Sequence, residues 1–73
     1  MASITDETLA NWFTYHAPGP GDPDRYIEIR EAGKSLAQAI VRNTPASADQ
    51  TAAVRKVREA VMTANAAIAC GGK

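Results

Sequence analysis

A chain of 73 residues with eight basic and eight acidic side chains predicts one small domain with no net charge. Its single cysteine, Cys70, excludes an internal disulfide, and one cysteine with one histidine is too few for a zinc site. The balanced charge argues against a long DNA or RNA partner, because phosphate neutralisation supplies most of that affinity. A small anionic ligand held by a few side chains remains open.

The N-terminal residues lack the basic and apolar regions of a secretory signal peptide, and no apolar run approaches the length of a membrane span. With the free cysteine, these features predict a soluble, intracellular protein. A chain this short buries little surface when it folds alone, so we expect self-association to stabilise it.

The first predicted element is a short helix over residues 6–15. Thr5 or Asp6 can cap its N-terminus, and Leu9, Trp12 and Phe13 recur at helical spacing to form its buried stripe. Three prolines and two glycines follow within a few positions, which predicts a stiff surface loop over residues 16–22.

The second predicted helix covers residues 23–43. Asp22 followed by Pro23 is typical of a capped helix start, and the helix should end at Asn43 because Pro45 restricts the residue before it. Gly33 lies on the apolar face of this helix, where it predicts the close approach of another element.

The third predicted helix covers residues 47–69. It opens with a capping box formed by Ser47 and Gln50, continues with a seam of valines, and stops at Gly71 and Gly72. Together the elements predict an all-α single domain over residues 1–73. In it, a short N-terminal helix accompanies an antiparallel two-helix hairpin, and the chain assembles into a compact homo-oligomer.

Both long helices carry a second, polar face. Arg30, Lys34 and Gln38 recur one turn apart on the second helix, where a lysine or arginine can meet phosphate. The third helix has a comparable face, whose members are Thr51, Arg55, Arg58, Met62 and Asn65. The simpler interpretation is that these cations are solvated or paired with nearby glutamates.

Catalysis is not expected from these residues. His16 is the only histidine, and no nucleophile–base or paired-carboxylate arrangement can be argued around it. As an isolated ring beside a loop, His16 is more typical of a helix end than of a general base. The sequence therefore predicts no catalytic residues, no metal site and no cofactor.

Nearly all the aromatic side chains lie together just before the loop. Trp12, Phe13 and Tyr15 stand there beside His16. Such a cluster either covers the core of a small domain or stacks on a planar ligand.

Four segments resemble the phage anti-CBASS cyclic-oligonucleotide sponges (type 2 anti-CBASS proteins), over residues 9–69. They are Trp12-Phe13-Thr14-Tyr15-His16-x-Pro18, then Tyr26-x-x-Ile29-Arg30-x-x-x-Lys34-x-Leu36-Ala37, then Thr44-Pro45-x-Ser47-Ala48-Asp49-Gln50, and the block from Lys56 to Ala69. The last block is the most specific, because helix periodicity does not require its residues.

The resemblance implies a phage anti-defence protein in the cytoplasm of the infected bacterial host. Such a protein forms a homo-oligomer, a hexamer as in other members of the family. It sequesters cyclic dinucleotide (cGAMP-like) and cyclic trinucleotide messengers without cleaving them. Effectors of the CBASS defence then stay inactive. The resemblance implies no long nucleic acid and no membrane as partners.

The resemblance also assigns roles to residues. Tyr15 would stack on a base of the cyclic dinucleotide and Lys34 would contact its phosphate. The neighbouring residues Trp12, His16 and Arg30 are predicted to complete that site. A separate cyclic trinucleotide site, at a threefold axis, is placed on Arg58, Asn65 and Met62.

Two other functions stay open at the level of sequence. A non-catalytic helical module that docks on a host protein would explain the small-residue faces equally well, although it gives Tyr15 and Lys34 no role. A DNA-binding hairpin is disfavoured by the charge balance.

Overall fold

The computed structural model describes residues 3–73, and within them the chain forms three α-helices and no β-strand. Helix α1 spans Asp6–Trp12, α2 spans Asp22–Asn43 and α3 spans Ala48–Ala69. The two long helices pack against each other as a hairpin. The predicted all-α class is confirmed for this part of the chain. No helix in the same residues is both long and apolar enough to cross a membrane.

The single chain is elongated and thin. It extends 45 × 31 × 18 Å, with a Cα radius of gyration of 15.5 Å. A globular chain of this length would have a radius of gyration of about 11 Å. No residue among those described is fully buried, and Phe13 and Tyr15 are 84% and 85% exposed. One helix–helix contact therefore provides nearly all the apolar packing of the chain.

Helices α2 and α3 approach each other closely at Gly33. A Cβ atom added there would lie 2.5 Å from Cγ2 of Val61 and 3.8 Å from Cγ1 of Val57. Only glycine leaves room for the valine methyl at this point. The close approach predicted from the position of Gly33 is confirmed.

One of the two hydrogen bonds of the predicted capping box forms at the start of α3. The Ser47 hydroxyl accepts a hydrogen bond of 3.1 Å from the Gln50 backbone N–H, as expected of an N-cap. The Gln50 side chain instead donates to the backbone carbonyls of Thr44 (3.0 Å) and Val41 (3.4 Å). Those carbonyls lie at the end of α2, where no further helical N–H groups are available to them. The Gln50 side chain therefore links the C-terminus of α2 to the N-terminus of α3.

The start of α2 differs from the prediction. Asp22 is the first helical residue rather than the cap, and Gly21 before it has no side chain with which to cap the helix. The Asp22 carboxylate instead accepts hydrogen bonds from the Gly19 N–H (2.8 Å) and from Nη1 of Arg25 (3.1 Å). The predicted capping role of Asp22 is wrong, because its side chain folds back to fix the loop.

Helix α1 ends at Trp12 rather than at residue 15, so the loop begins earlier than predicted and covers residues 13–21. The Phe13 N–H still donates to the Leu9 carbonyl at 3.0 Å. After that, the side chains of Thr14 and His16 bond to the carbonyls of Ala10 and Asn11. These side chains take the positions that backbone N–H groups would occupy in a longer helix.

The C-terminus of α3 ends as the two glycines predict. The Gly72 N–H donates to the Ala67 carbonyl (2.9 Å) and the Gly71 N–H to the Ile68 carbonyl (3.3 Å). Gly71 has a φ of 66°, the left-handed conformation that this pair of bonds requires. The chain after α3 is thereby turned back toward α1.

Candidate functional site

A groove on one side of the α2–α3 contact carries three cationic side chains. Arg30 and Lys34 of α2 and Arg58 of α3 line its rim, and the valines of the helix contact form its floor. Its volume is about 250 Å³. We call it the cationic groove. No acidic residue lines it, so its electrostatic potential favours an anionic ligand.

The groove cations are not used in ion pairs within residues 3–73. The ion pair in that range joins Arg25 to Asp22 at 3.1 Å, outside the groove. Of the simpler interpretation, that Arg58 is solvated or paired with a glutamate, the pairing is not found among residues 3–73, and the exposed position of Arg58 agrees with solvation. Three unpaired cations above an apolar floor can hold phosphate while a flat base covers the floor.

The groove brings together residues that the family resemblance assigns to two different ligands. Arg30 and Lys34 were predicted for a cyclic dinucleotide, and Arg58 and Met62 for a cyclic trinucleotide, yet all four line the cationic groove. This proximity depends on the register between α2 and α3. The periodicity of each helix by itself does not define that register, so no sequence pattern indicates that these residues share a groove.

Lys34 also lines a neighbouring groove on the outer face of α2. That groove, of about 420 Å³, includes Gln38 and Arg42. Lys34 therefore lies on the ridge between two concave surfaces, where its flexible side chain can turn to either.

Tyr15 lies away from these grooves. It follows α1 in the loop, is 85% exposed, and is not among the residues that line the cationic groove. Its phenol ring is available to a planar ligand. Within one chain, however, the structure does not bring Tyr15 and Lys34 into one pocket.

The rings of Trp12 and His16 already have polar partners in the chain. The Trp12 indole N–H donates to the Lys73 carbonyl at 3.3 Å. Nε2 of His16, which is half-buried, lies 2.7 Å from the Asn11 carbonyl oxygen. Because a carbonyl only accepts, Nε2 carries the proton and donates.

Asn11 connects α1 to the end of α3. Its side-chain Nδ2 donates to the Cys70 carbonyl at 3.3 Å, and the Cys70 thiol lies 3.9 Å from the Asn11 carbonyl. Asn11 is not among the residues predicted from the sequence to have a functional role. These contacts join residues that are far apart in the chain, and no local pattern indicates them.

Asn65 carries a buried polar atom without a partner. Its Oδ1 oxygen is shielded from solvent and accepts no hydrogen bond from residues 3–73. Such an atom costs free energy until a donor reaches it. Asn65 does not line the cationic groove, although Arg58 and Met62 of the same helix do.

The opposite side of the α2–α3 contact is an apolar groove of about 500 Å³. Its lining includes Ile29, Leu36, Ala60 and Ala64, and Lys56 is its one charged residue. The two sides of the hairpin thus differ in character, one cationic and one apolar. Among residues 3–73, no cluster of three or more His, Cys, Asp or Glu side chains offers a metal site.

Comparison with protein families gives a match to one family, described as Acb2/Tad1, hairpin domain, over residues 5–69. The match starts at Thr5, the N-cap of α1, and ends at Ala69, the last residue of α3, so it takes in all three helices. The chain belongs to the Acb2/Tad1 hairpin-domain family.

Acb2 proteins are anti-CBASS sponges, so the family expectation from sequence is confirmed. The family consists of nucleotide-sequestering binding proteins rather than enzymes, and an anti-CBASS role fits this chain. Membership of this family suggests cyclic oligonucleotides as the class of ligand. The searches of curated proteins and of solved structures gave no match.

Proposed function

We propose that the protein binds and sequesters cyclic dinucleotide and cyclic trinucleotide immune messengers without cleaving them. In this role it is a phage anti-defence protein, acts in the cytoplasm of the infected bacterial host, and works as a homo-oligomer, in the form of a hexamer. Removal of the messenger would block activation of CBASS effectors.

The cationic groove is the observation that supports this proposal within the family. A cyclic dinucleotide is a ring with two phosphates and two flat bases. Arg30, Lys34 and Arg58 offer three cations without a competing carboxylate at the groove. Charge-assisted hydrogen bonds to phosphate are among the strongest polar contacts available to a protein.

A pocket that combines an aromatic ring for stacking with a cation for the phosphate needs two chains. Tyr15 is exposed and does not line the groove that holds Lys34. A neighbour related by a twofold axis would supply its Tyr15 to the groove of the first chain, and the first chain would supply its Tyr15 to the groove of the neighbour. The resulting pair of sites matches a ligand with two bases and two phosphates. Trp12, His16 and Arg30 remain the predicted surroundings of this site.

A second site for cyclic trinucleotides is proposed at Arg58, Met62 and Asn65. The unpartnered Oδ1 of Asn65 supports it, because a donor from a ligand or a second subunit would remove the cost of burying that atom. Met62 is 59% exposed and can adapt to a base through its flexible thioether chain.

The decisive experiment is calorimetric titration of the purified protein with a panel of cyclic di- and trinucleotides. We expect binding of cyclic GMP–AMP and of at least one cyclic trinucleotide. The complex is then heated to denature the protein, and the released nucleotide is identified by mass spectrometry. Intact cyclic ligand is expected; a linear nucleotide would mean that the protein is a phosphodiesterase.

Replacement of Tyr15 tests the stacking contact directly. Stacking contributes about 1–3 kcal/mol per base, so Tyr15→Ala should weaken cyclic GMP–AMP binding at least severalfold, whereas Tyr15→Phe should keep most of it. Analytical ultracentrifugation should show the same oligomer for all three proteins. Equal affinity of the alanine variant would remove Tyr15 from the site.

The alternative function is a helical module that docks on a host protein. The apolar groove around Leu36 and Ala60 is the feature that favours it. Native mass spectrometry separates the two functions, since a sponge made in cells that synthesise the messengers should carry nucleotide mass. A docking module should carry none.

A further inference from the structure

The residues on either side of Tyr15 both bond back to α1. The Thr14 hydroxyl donates to the Ala10 carbonyl, and the His16 ring donates from Nε2 to the Asn11 carbonyl at 2.7 Å. These two carbonyls belong to the last turn of α1, where helical N–H partners are missing. Thr14 and His16 thus act as side-chain caps of the same helix end.

Tyr15 lies between these two hydrogen-bonded residues and is exposed to solvent. His16 is half-buried against α1, while Tyr15, next to it, is 85% exposed. Two anchored neighbours restrict the backbone torsions on both sides of Tyr15. A loop residue without such anchors would sample many orientations.

Further hydrogen bonds join the end of α1 to the residues that follow α3. Asn11, whose carbonyl receives the His16 bond, donates through Nδ2 to the Cys70 carbonyl at 3.3 Å. Trp12, the next residue, donates to the Lys73 carbonyl at 3.3 Å. The loop that carries Tyr15 is therefore tied to the C-terminal end of α3, the helix that carries the groove residue Arg58 near its middle.

We propose that Thr14 and His16 are positioning residues that hold the Tyr15 ring outward before a ligand binds. The proposal rests on the stacking role of Tyr15 in the proposed function. A pre-ordered ring loses less conformational entropy on binding, so the same contacts give a higher affinity. His16 then acts through Tyr15 by means of its bond to Asn11, and contact of its ring with the ligand is not needed.

Paired substitutions at the two anchors test the proposal by calorimetry with cyclic GMP–AMP. His16→Ala and Thr14→Val each remove one hydrogen bond and should weaken binding about three- to tenfold. His16→Gln and Thr14→Ser keep a donor at each position and should restore most of the affinity. Equal affinity of the wild type, His16→Ala and Thr14→Val would overturn the proposal. Thr14 is exposed, so Thr14→Val carries the test if His16→Ala loses α1.

A double-mutant cycle separates positioning from direct contact. If His16 acts through Tyr15, adding His16→Ala to a Tyr15→Ala protein should cause almost no further loss of affinity. If the two losses multiply fully, the His16 ring contacts the ligand independently, and the positioning role is wrong.

A measurement without ligand keeps this inference distinct from the proposed function. Backbone ¹⁵N relaxation of the free protein should give the Tyr15 amide an order parameter of roughly 0.85, falling below about 0.6 in His16→Ala and Thr14→Val. Unchanged order at Tyr15 in both variants would overturn the proposal whether or not a ligand binds. If the variants lose order at Tyr15 while the wild type stays ordered but binds no messenger, the positioning role stands and the sponge function alone is removed.

Discussion

Lys34 is the charged residue that the cationic groove and the outer groove of α2 share. It lines the cationic groove together with Arg58 and the outer groove together with Arg42. A lysine is a compact charge on a flexible chain, and it can follow a phosphate between two nearby positions. Its place on the ridge fits the phosphate contact proposed for it.

Lys34→Gln should weaken cyclic dinucleotide binding by roughly 10- to 100-fold, because hydrogen bonds to charged groups are each worth about 1.5–3 kcal/mol. Lys56→Gln is the matched control, since Lys56 lies at the apolar groove on the other side of the hairpin. Calorimetry with cyclic GMP–AMP measures both. A similar loss in the two variants would point to overall charge rather than to a site at Lys34.

Arg58→Gln tests the proposed trinucleotide site in the same way. Arg58 lines the cationic groove and Arg55, one turn before it on α3, does not. We expect Arg58→Gln to reduce cyclic trinucleotide affinity by about tenfold or more, through loss of a charge-assisted bond, and Arg55→Gln to reduce it little. If Arg55→Gln has the larger effect, the trinucleotide site lies on a different face of α3.

The packing of α2 against α3 depends on one small position. Gly33→Ala would place a methyl group 2.5 Å from Cγ2 of Val61. We expect the free energy of unfolding to fall by about 1–3 kcal/mol, as in other overpacked contacts. Urea denaturation at one fixed protein concentration measures it.

A second substitution shows whether the clash with Val61 is the cause. The double variant Gly33→Ala/Val61→Ala should lose less stability than the sum of the losses in the two single variants. The reason is that the smaller side chain at position 61 makes room for the new methyl group. Strict additivity would mean that Gly33→Ala destabilises α2 by another route.

The helices could be predicted where the signals are local. Ser47 before α3 and Gly71 after it behave as their positions indicate, because capping bonds join residues a few positions apart. Asp22 and the end of α1 were predicted wrongly. In both places a side chain forms a hydrogen bond with the loop or with the previous turn. The pattern of helix-forming residues does not predict such bonds.

In the candidate site too, some features could be predicted from local sequence and others depend on tertiary packing. The kinds of residue at Tyr15, Lys34 and Arg58 were identified from the sequence, and their roles remain predictions. The sharing of one groove by Lys34 and Arg58 follows from the register of the hairpin. The bond of Asn11 to Cys70 follows from how the two ends of the chain meet. Neither relation is encoded in a local spacing.

The molecule as a whole exposes an unusual amount of apolar surface for its length. No residue in the described range is fully buried, and Leu36, Val41 and Met62 are each more than half exposed. Apolar area removed from water stabilises a protein by about 25 cal/mol per Å². Assembly of several copies would remove such surface, which is the physical reason to propose an oligomer.

Stability should therefore rise with protein concentration. If folding and assembly are coupled, the melting temperature increases on concentration, because mass action favours the assembled state. Thermal melts over a hundredfold range of concentration, beside sedimentation velocity at the same concentrations, measure this. A monomer whose melting temperature does not change with concentration would contradict the proposed assembly.

The hydrogen bond from Trp12 to Lys73 has a practical consequence. Trp12 is the only tryptophan of the chain, and its half-exposed indole lies where α1 meets the segment after α3. Its fluorescence is therefore an intrinsic signal from that junction, and no dye has to be attached. Release of α1 into water should shift the emission to longer wavelength, which makes the docking of this short helix measurable in real time.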